Sequence, residues 1–139
     1  MRSLPLAKQG GNDDRPKLPE GWDWAEWSGR EKTILFWQTG LNATLQATFV
    51  ARFAEIRVAA EANCLLGKSK AYDFRGGGKA KITHPNPGWR GWWFRDGDTR
   101  YVTHFTKGST SDGDEEAEEA TVATAREEHR SRKTKGQRE

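Results

Sequence analysis

The sequence predicts an α+β fold, a small antiparallel sheet with helices packed on one face, preceded by a flexible N-terminal arm. Three stretches carry that expectation. Apolar residues recur at helical spacing from Leu45 to Cys64, and two aromatic, β-rich runs flank Asp96-Gly97-Asp98. A last segment, 114–133, has acids crowded at its start and bases at its end, the order that complements a helix dipole.

A chain of 139 residues is long enough for one domain. We read 1–30 as the arm, 31–133 as the domain and 134–139 as a disordered tail. The arm holds Gly-Gly, Asn-Asp-Asp and three prolines with little apolar pattern, a composition that resists packing. Within it, 22–27 (WDWAEW) suggests a short helix or an adherent turn. Residues 32–38 (KTILFWQ) read as a buried strand, being β-branched and aromatic. Asn42 is then an N-cap. Leu45, Phe49, Phe53, Ile56, Ala60 and Cys64 line one helical face, with Gly67 as the stop. On that stripe Cys64 is a core residue.

Residues 70–83 read as two extended runs around a glycine turn. Gly76-Gly77-Gly78 lacks the spacing of a phosphate-binding loop, and no helix pattern follows it. Residues 84–88 (HPNPG) form a rigid loop. Asp-Gly between 89–95 and 99–107 is a hairpin signal, and loop length decides which side chains share a face. A three-residue loop, 95–97, groups Trp89, Trp93, Tyr101 and Phe105 on one side. Arg90, Trp92, Phe94, Arg100, Val102 and His104 then take the other. A two-residue loop, Asp96-Gly97, instead sets Arg95, Arg100, Val102 and His104 beside Trp89 and Trp93. The first register makes the cleaner aromatic core and is the one expected. A polar linker, 109–113, precedes the last helix. With only Ala117, Ala120, Val122, Ala123 and Ala125 as apolar residues, that helix is expected to dock weakly.

Function classes are narrowed mainly by elimination. The chain has no run of about 18 apolar residues and so no membrane-span pattern. Its start lacks the apolar core of a secretory signal, and a cytoplasmic location is expected. A single cysteine excludes an intrachain disulfide and the usual structural zinc sites. No metal and no cofactor is expected, and no nucleophile-elbow pattern is present. Charge is more informative. The net value is only +3, yet residues 68–107 carry nine Lys/Arg against three Asp. Such a local excess is either a solvated face or a footprint for a polyanion. Seven tryptophans serve as core residues or as faces on which unpaired bases stack.

A basic, aromatic hairpin with one histidine suits RNA handling. Cleavage by attack of the RNA's own 2′-hydroxyl needs no metal, only proton transfer and cations that stabilise the charged phosphorane. Arg90 and Arg100 are candidates for the phosphate, since guanidinium binds it in a planar, bidentate manner. His104 titrates near neutrality and is the candidate acid or base, unless it is simply a strand residue. Lys79, Lys81, Trp92 and Arg95 are candidate RNA contacts.

From Trp89 to Lys107 the chain carries a strand arginine (Arg90), an aromatic (Trp93), a short turn and Phe105-Thr106-Lys107. A helix rich in Glu, Ala and Arg follows. This arrangement resembles the C-terminal half of RelE/ParE-superfamily toxins, in particular the HigB-like branch. The resemblance spans roughly residues 43–130. It implies a growth-inhibiting mRNA endoribonuclease, often ribosome-dependent and neutralised by a cognate antitoxin, with Arg90 and Lys107 at the motif-matched positions. The implied partners are mRNA, the ribosome and the antitoxin. A related branch acts on DNA gyrase. The alternative reading is a non-catalytic module, phage- or plasmid-encoded: either a nucleic-acid binder resting on the same basic patch and tryptophans, or a protein-interaction factor that docks partners through 114–133 and WDWAEW.

Overall fold

The computed structural model describes residues 15–64, 66–83, 88–108 and 112–138, with side chains of 115–132 in the last of these segments. In chain order the elements are β1 (Trp22–Trp24), α1 (Arg30–Gly40), α2 (Ala43–Glu61), β2 (Ala71–Phe74), β3 (Gly77–Ile82), β4 (Trp89–Asp96), β5 (Thr99–Lys107) and α3 (Asp112–Arg138). The strands form one sheet in the order β1-β5-β4-β3-β2. β1 runs parallel to β5, and the remaining pairings are antiparallel. The fold is α+β as expected, with a mixed rather than wholly antiparallel sheet.

Three local expectations are corrected. Residues 22–24, placed in the arm as a helix or turn, form the edge strand β1. Trp22 and Trp24 are buried and Asp23 is exposed between them, the alternation of a half-buried strand. Residues 1–14 of the arm, the 84–87 part of the rigid loop and the 109–111 part of the linker lie outside the described residues. Residues 32–38, expected as a strand, are helical in α1. There Thr33 and Trp37, one helical turn apart, are the buried residues, and the Thr33 hydroxyl donates to the Thr103 carbonyl at 2.7 Å. Strand propensity is a weak preference that packing overrides. Cys64 is exposed rather than core, because α2 ends at Glu61 and not at Gly67. Asn63 takes a left-handed φ of 57°. The Asn63 amide then bonds the Ala60 carbonyl and the Cys64 amide the Ala59 carbonyl, the pairing of a Schellman stop.

The rest of α2 follows its pattern. Asn42 caps it by accepting from the Leu45 amide at 2.9 Å. Leu45, Phe49, Phe53 and Ile56 are buried. They join Trp22, Trp24, Trp37, Trp93, Ile82 and Val102 in the larger core, so α1 and α2 pack together on one face of the sheet. On the other face a smaller cluster forms around Trp92 and Phe94 with Val122 and Ala125 of α3. The last helix therefore covers that face, and it continues to Arg138 rather than ending at 133 in a tail.

The hairpin of β4 and β5 is present, but its loop is Gly97-Asp98, closed by the Asp96–Thr99 pair. This is neither of the loops expected. Gly97 sits at the first loop position with φ 65°, the backbone region glycine enters at little cost. A bulge then intervenes. Trp92 opposes His104, whereas the next residue, Trp93, opposes Val102. Thr103 is thus the extra residue, and the two halves of β5 present opposite parity to the sheet. This one residue decides which of the candidate site residues meet.

Candidate nucleic-acid interface

Below the bulge, Arg100 and Val102 point with Trp93 into the larger core face. Above it, His104 joins Trp92 on the α3 side. Residues 100 and 104 would share a face in a regular strand; here they lie on opposite faces. Lys107 is on the Trp89 side, its ammonium 5.5 Å from that ring centroid. Arg95 is exposed and its Nε donates to the Gly97 carbonyl of its own turn at 2.9 Å. The expected grouping of Arg90, Arg100, His104 and Lys107 is therefore split. Arg90 and His104 stay together, while Arg100, Lys107 and Arg95 do not join them.

What does assemble is a two-row patch on the α3 side. Lys81 pairs across the strands with Arg90, and Arg90 with Thr106. In the next row Tyr72, Lys79, Trp92 and His104 are successive cross-strand neighbours. Strands β3 and β4 thus place four of the candidate residues (Lys79, Lys81, Arg90 and Trp92) beside His104 of β5. Trp92 is fully buried. Its indole N–H donates to the Thr106 hydroxyl at 2.9 Å, and its ring stacks on His104 with centroids 5.7 Å apart and planes within 4°. The Lys79 ammonium lies 5.0 Å from the Trp92 centroid and 5.5 Å from that of Tyr72, and it pairs with Glu115 of α3.

His104 is held from two sides. Nε2 lies 2.7 Å from Glu118 Oε1 and Nδ1 lies 2.7 Å from the Thr103 hydroxyl. Its side chain is 15% exposed, so a substrate has little access to it while α3 is in place. Burial holds the imidazole below its ordinary value, outweighing the Glu118 hydrogen bond and charge that act the other way. A neutral ring then donates from Nε2 to the Glu118 carboxylate, while the single Thr103 hydroxyl proton has two acceptors in reach, Nδ1 and the Trp92 carbonyl at 3.2 Å.

The Lys81–Arg90 end of the patch is open by comparison. Both side chains are partly buried, and among the described residues neither makes an ion pair. Arg90 Nη1 is buried without a hydrogen-bond partner. Burial, then the neighbouring Lys79 and Arg90, lowers the Lys81 pKa, and burial lowers that of Arg90; the Glu115 charge acts against both shifts. Chemically, the row offers a guanidinium for an anionic oxygen and an amine eased toward its neutral form, which suits proton transfer. Exposed Tyr72, 5.9 Å from the Lys81 ammonium, adds an aromatic face. Sequence reasoning missed Tyr72, Thr103, Glu115 and Glu118. The two glutamates were visible only as acids opening a helix, and the docking of that helix is what brings them to the patch.

Among the described residues no cluster of His, Cys, Asp and Glu is arranged to hold a metal ion, and no helix is long and apolar enough to cross a membrane. No family model, curated protein or solved structure matches this chain.

Proposed function

We propose that this protein is a RelE/HigB-like toxin that binds mRNA in the cytoplasm on its Lys79–Lys81–Arg90 face and cleaves it without a metal. The observation that carries the reading is the Lys81–Arg90 pair, two adjacent, partly buried cations with no carboxylate bound among the described residues. A phosphodiester seated there displaces no ion pair of Lys81 or Arg90, although the Glu115 carboxylate that holds Lys79 also acts on both through its charge. Arg90 stabilises charge on the phosphorane. The deprotonated fraction of Lys81, enlarged by burial and by its cationic neighbours, accepts the 2′-hydroxyl proton as that oxygen attacks phosphorus. The departing 5′ oxygen takes its proton from His104 once the start of α3 lifts away and solvent relieves the burial that depresses its pKa, a relief that outweighs the lost contribution of Glu118. An adjacent base stacks on Tyr72. The reading implies a cognate antitoxin as the protein partner.

A second reading, a non-catalytic RNA-binding module, is favoured by the hold of Glu118 and Thr103 on His104. One set of measurements separates the two. RNA 5′ ends are mapped with purified protein, with and without ribosomes, for the wild type and for Lys81→Met/Arg90→Met. The toxin reading expects cleavage that falls at least a hundredfold in the double variant. The binding reading expects no cleavage but salt-dependent RNA affinity. Loss of the two cations would then flatten the log–log salt slope by about 1.4 on single strands, at about 0.7 per phosphate contact. Neither cleavage nor a change in slope removes both readings.

A further inference from the structure

The face of the sheet opposite the RNA patch holds a cavity of about 660 Å3 between the end of α2, the β2 strand and the sheet. That volume falls within the range of small-molecule sites. Ile56, Leu66, Ala71 and the Trp93 indole give it apolar walls, and Arg100 completes the lining. Arg100 is the residue that needs explanation. It is a buried cation, 6% exposed, that makes no ion pair among the described residues, and its Nε is buried without a hydrogen-bond partner. Its guanidinium lies 5.5 Å from the Trp93 ring centroid and 6.0 Å from that of Trp22. The indole N–H groups of both rings are likewise buried and unpartnered. A buried charge left in this state is costly unless an anion meets it. Burial, then Arg95, push the Arg100 pKa down, while Asp73 acts against them.

We infer that this cavity is a binding site for a small organic carboxylate, whose anionic head pairs with Arg100 while its apolar body lies along Trp93 and the α2 wall. A carboxylate matches the edge of a guanidinium in a two-bond fork. Charge selects a monoanion over a phosphate dianion. Lys68 and Arg100 on the lining are opposed by Asp73, which leaves one positive charge in excess. The site does not rest on the RNA-binding reading, although Tyr72 borders both. The bulge at Thr103 sends Arg100 to this face and His104 to the other, so the proposal stands or falls without the toxin reading.

Benzoate is the probe and benzamide, of the same shape without charge, is the control. Binding to the full chain is followed by tryptophan fluorescence and by titration calorimetry. The expected result is saturable benzoate binding, at least tenfold tighter than benzamide, weakened at least tenfold by Arg100→Met and unaffected by Lys81→Met on the opposite face. Asp73→Asn, an exposed substitution that does not threaten folding, is expected to tighten benzoate several-fold and leave benzamide unchanged. Equal affinity for benzoate and benzamide would overturn the proposal. So would indifference to Asp73→Asn, or the absence of benzoate binding at 10-millimolar scale (~10 mM, well beyond the weak end of specific small-ligand binding).

Discussion

Substituting Glu115 by alanine tests how α3 is fastened over the basic face. The Lys79 side chain is 5% exposed and its partner Glu115 32% exposed. Removing one member of a buried ion pair costs about 3–5 kcal/mol, because the remaining charge stays buried. Water reaches the Glu115 side, so about 2 kcal/mol is the expected loss. At about 4 °C per kcal/mol for a chain of this size, melting falls by about 8 °C. Pairing the substitution with Lys79→Met, which removes the stranded charge and leaves an apolar stem beside Trp92, is expected to restore more than half of the loss. The same Glu115→Ala protein is expected to bind single-stranded RNA more tightly, since the anion competing for Lys79 is gone. Calorimetric melts and a filter-binding titration at fixed salt give both numbers. A melting change under 2 °C, or a double variant no more stable than Glu115→Ala alone, would refute the idea that this pair holds the helix down.

Three further outcomes are expected. Gly78→Ala would place a Cβ 2.3 Å from Trp93 Cζ2, and overpacking of that kind costs about 1–3 kcal/mol; urea denaturation reads it, and Trp93→Leu in the same chain should relieve part of it. Asn42→Ala removes the side-chain acceptor for the Leu45 amide and should cost about 1 kcal/mol, measured in the same way; no loss would mean α2 does not depend on that cap. His104, held below its ordinary 6.5 by burial, binds its proton more readily in the unfolded chain. Its stabilising contribution is therefore complete above about pH 6.5 and is lost as pH falls through that value toward the native one. Urea melts from pH 8 to 5 should show a steeper acid loss in the wild type than in His104→Gln, and parallel profiles would show that the imidazole is not the group responsible.

The parts of the fold written in short-range pattern were legible in the sequence. Asn42 followed by Leu45, Phe49, Phe53 and Ile56 specified a capped, one-faced helix, because capping and the 3.6-residue period act within a few neighbours. The aromatic runs around Asp96-Gly97 specified a hairpin, and the charge gradient of 114–133 a helix, for the same reason. Lys79, Lys81 and Arg90 were found from local charge excess and do lie side by side. The fate of KTILFWQ and WDWAEW was decided elsewhere. Each has a composition compatible with more than one backbone state, and contacts far away in the chain chose between them. Thr33 reached Thr103, and Trp22 and Trp24 found the edge of β5.

The division of the site belongs to tertiary structure alone. Nothing in the residues around Thr103 announces a bulge, since a single unpaired residue is settled by how α1, β4 and β5 fit together rather than by local preference. Its consequence is large, because the period of a strand is two and a slip of one residue reverses every side chain beyond it. Arg100 thereby went to a cavity among tryptophans, and His104 went under the acids of a helix that the sequence had marked only as weakly apolar. The sequence by itself determined which elements exist and where positive charge collects; packing of the sheet determined which of those charges face one another.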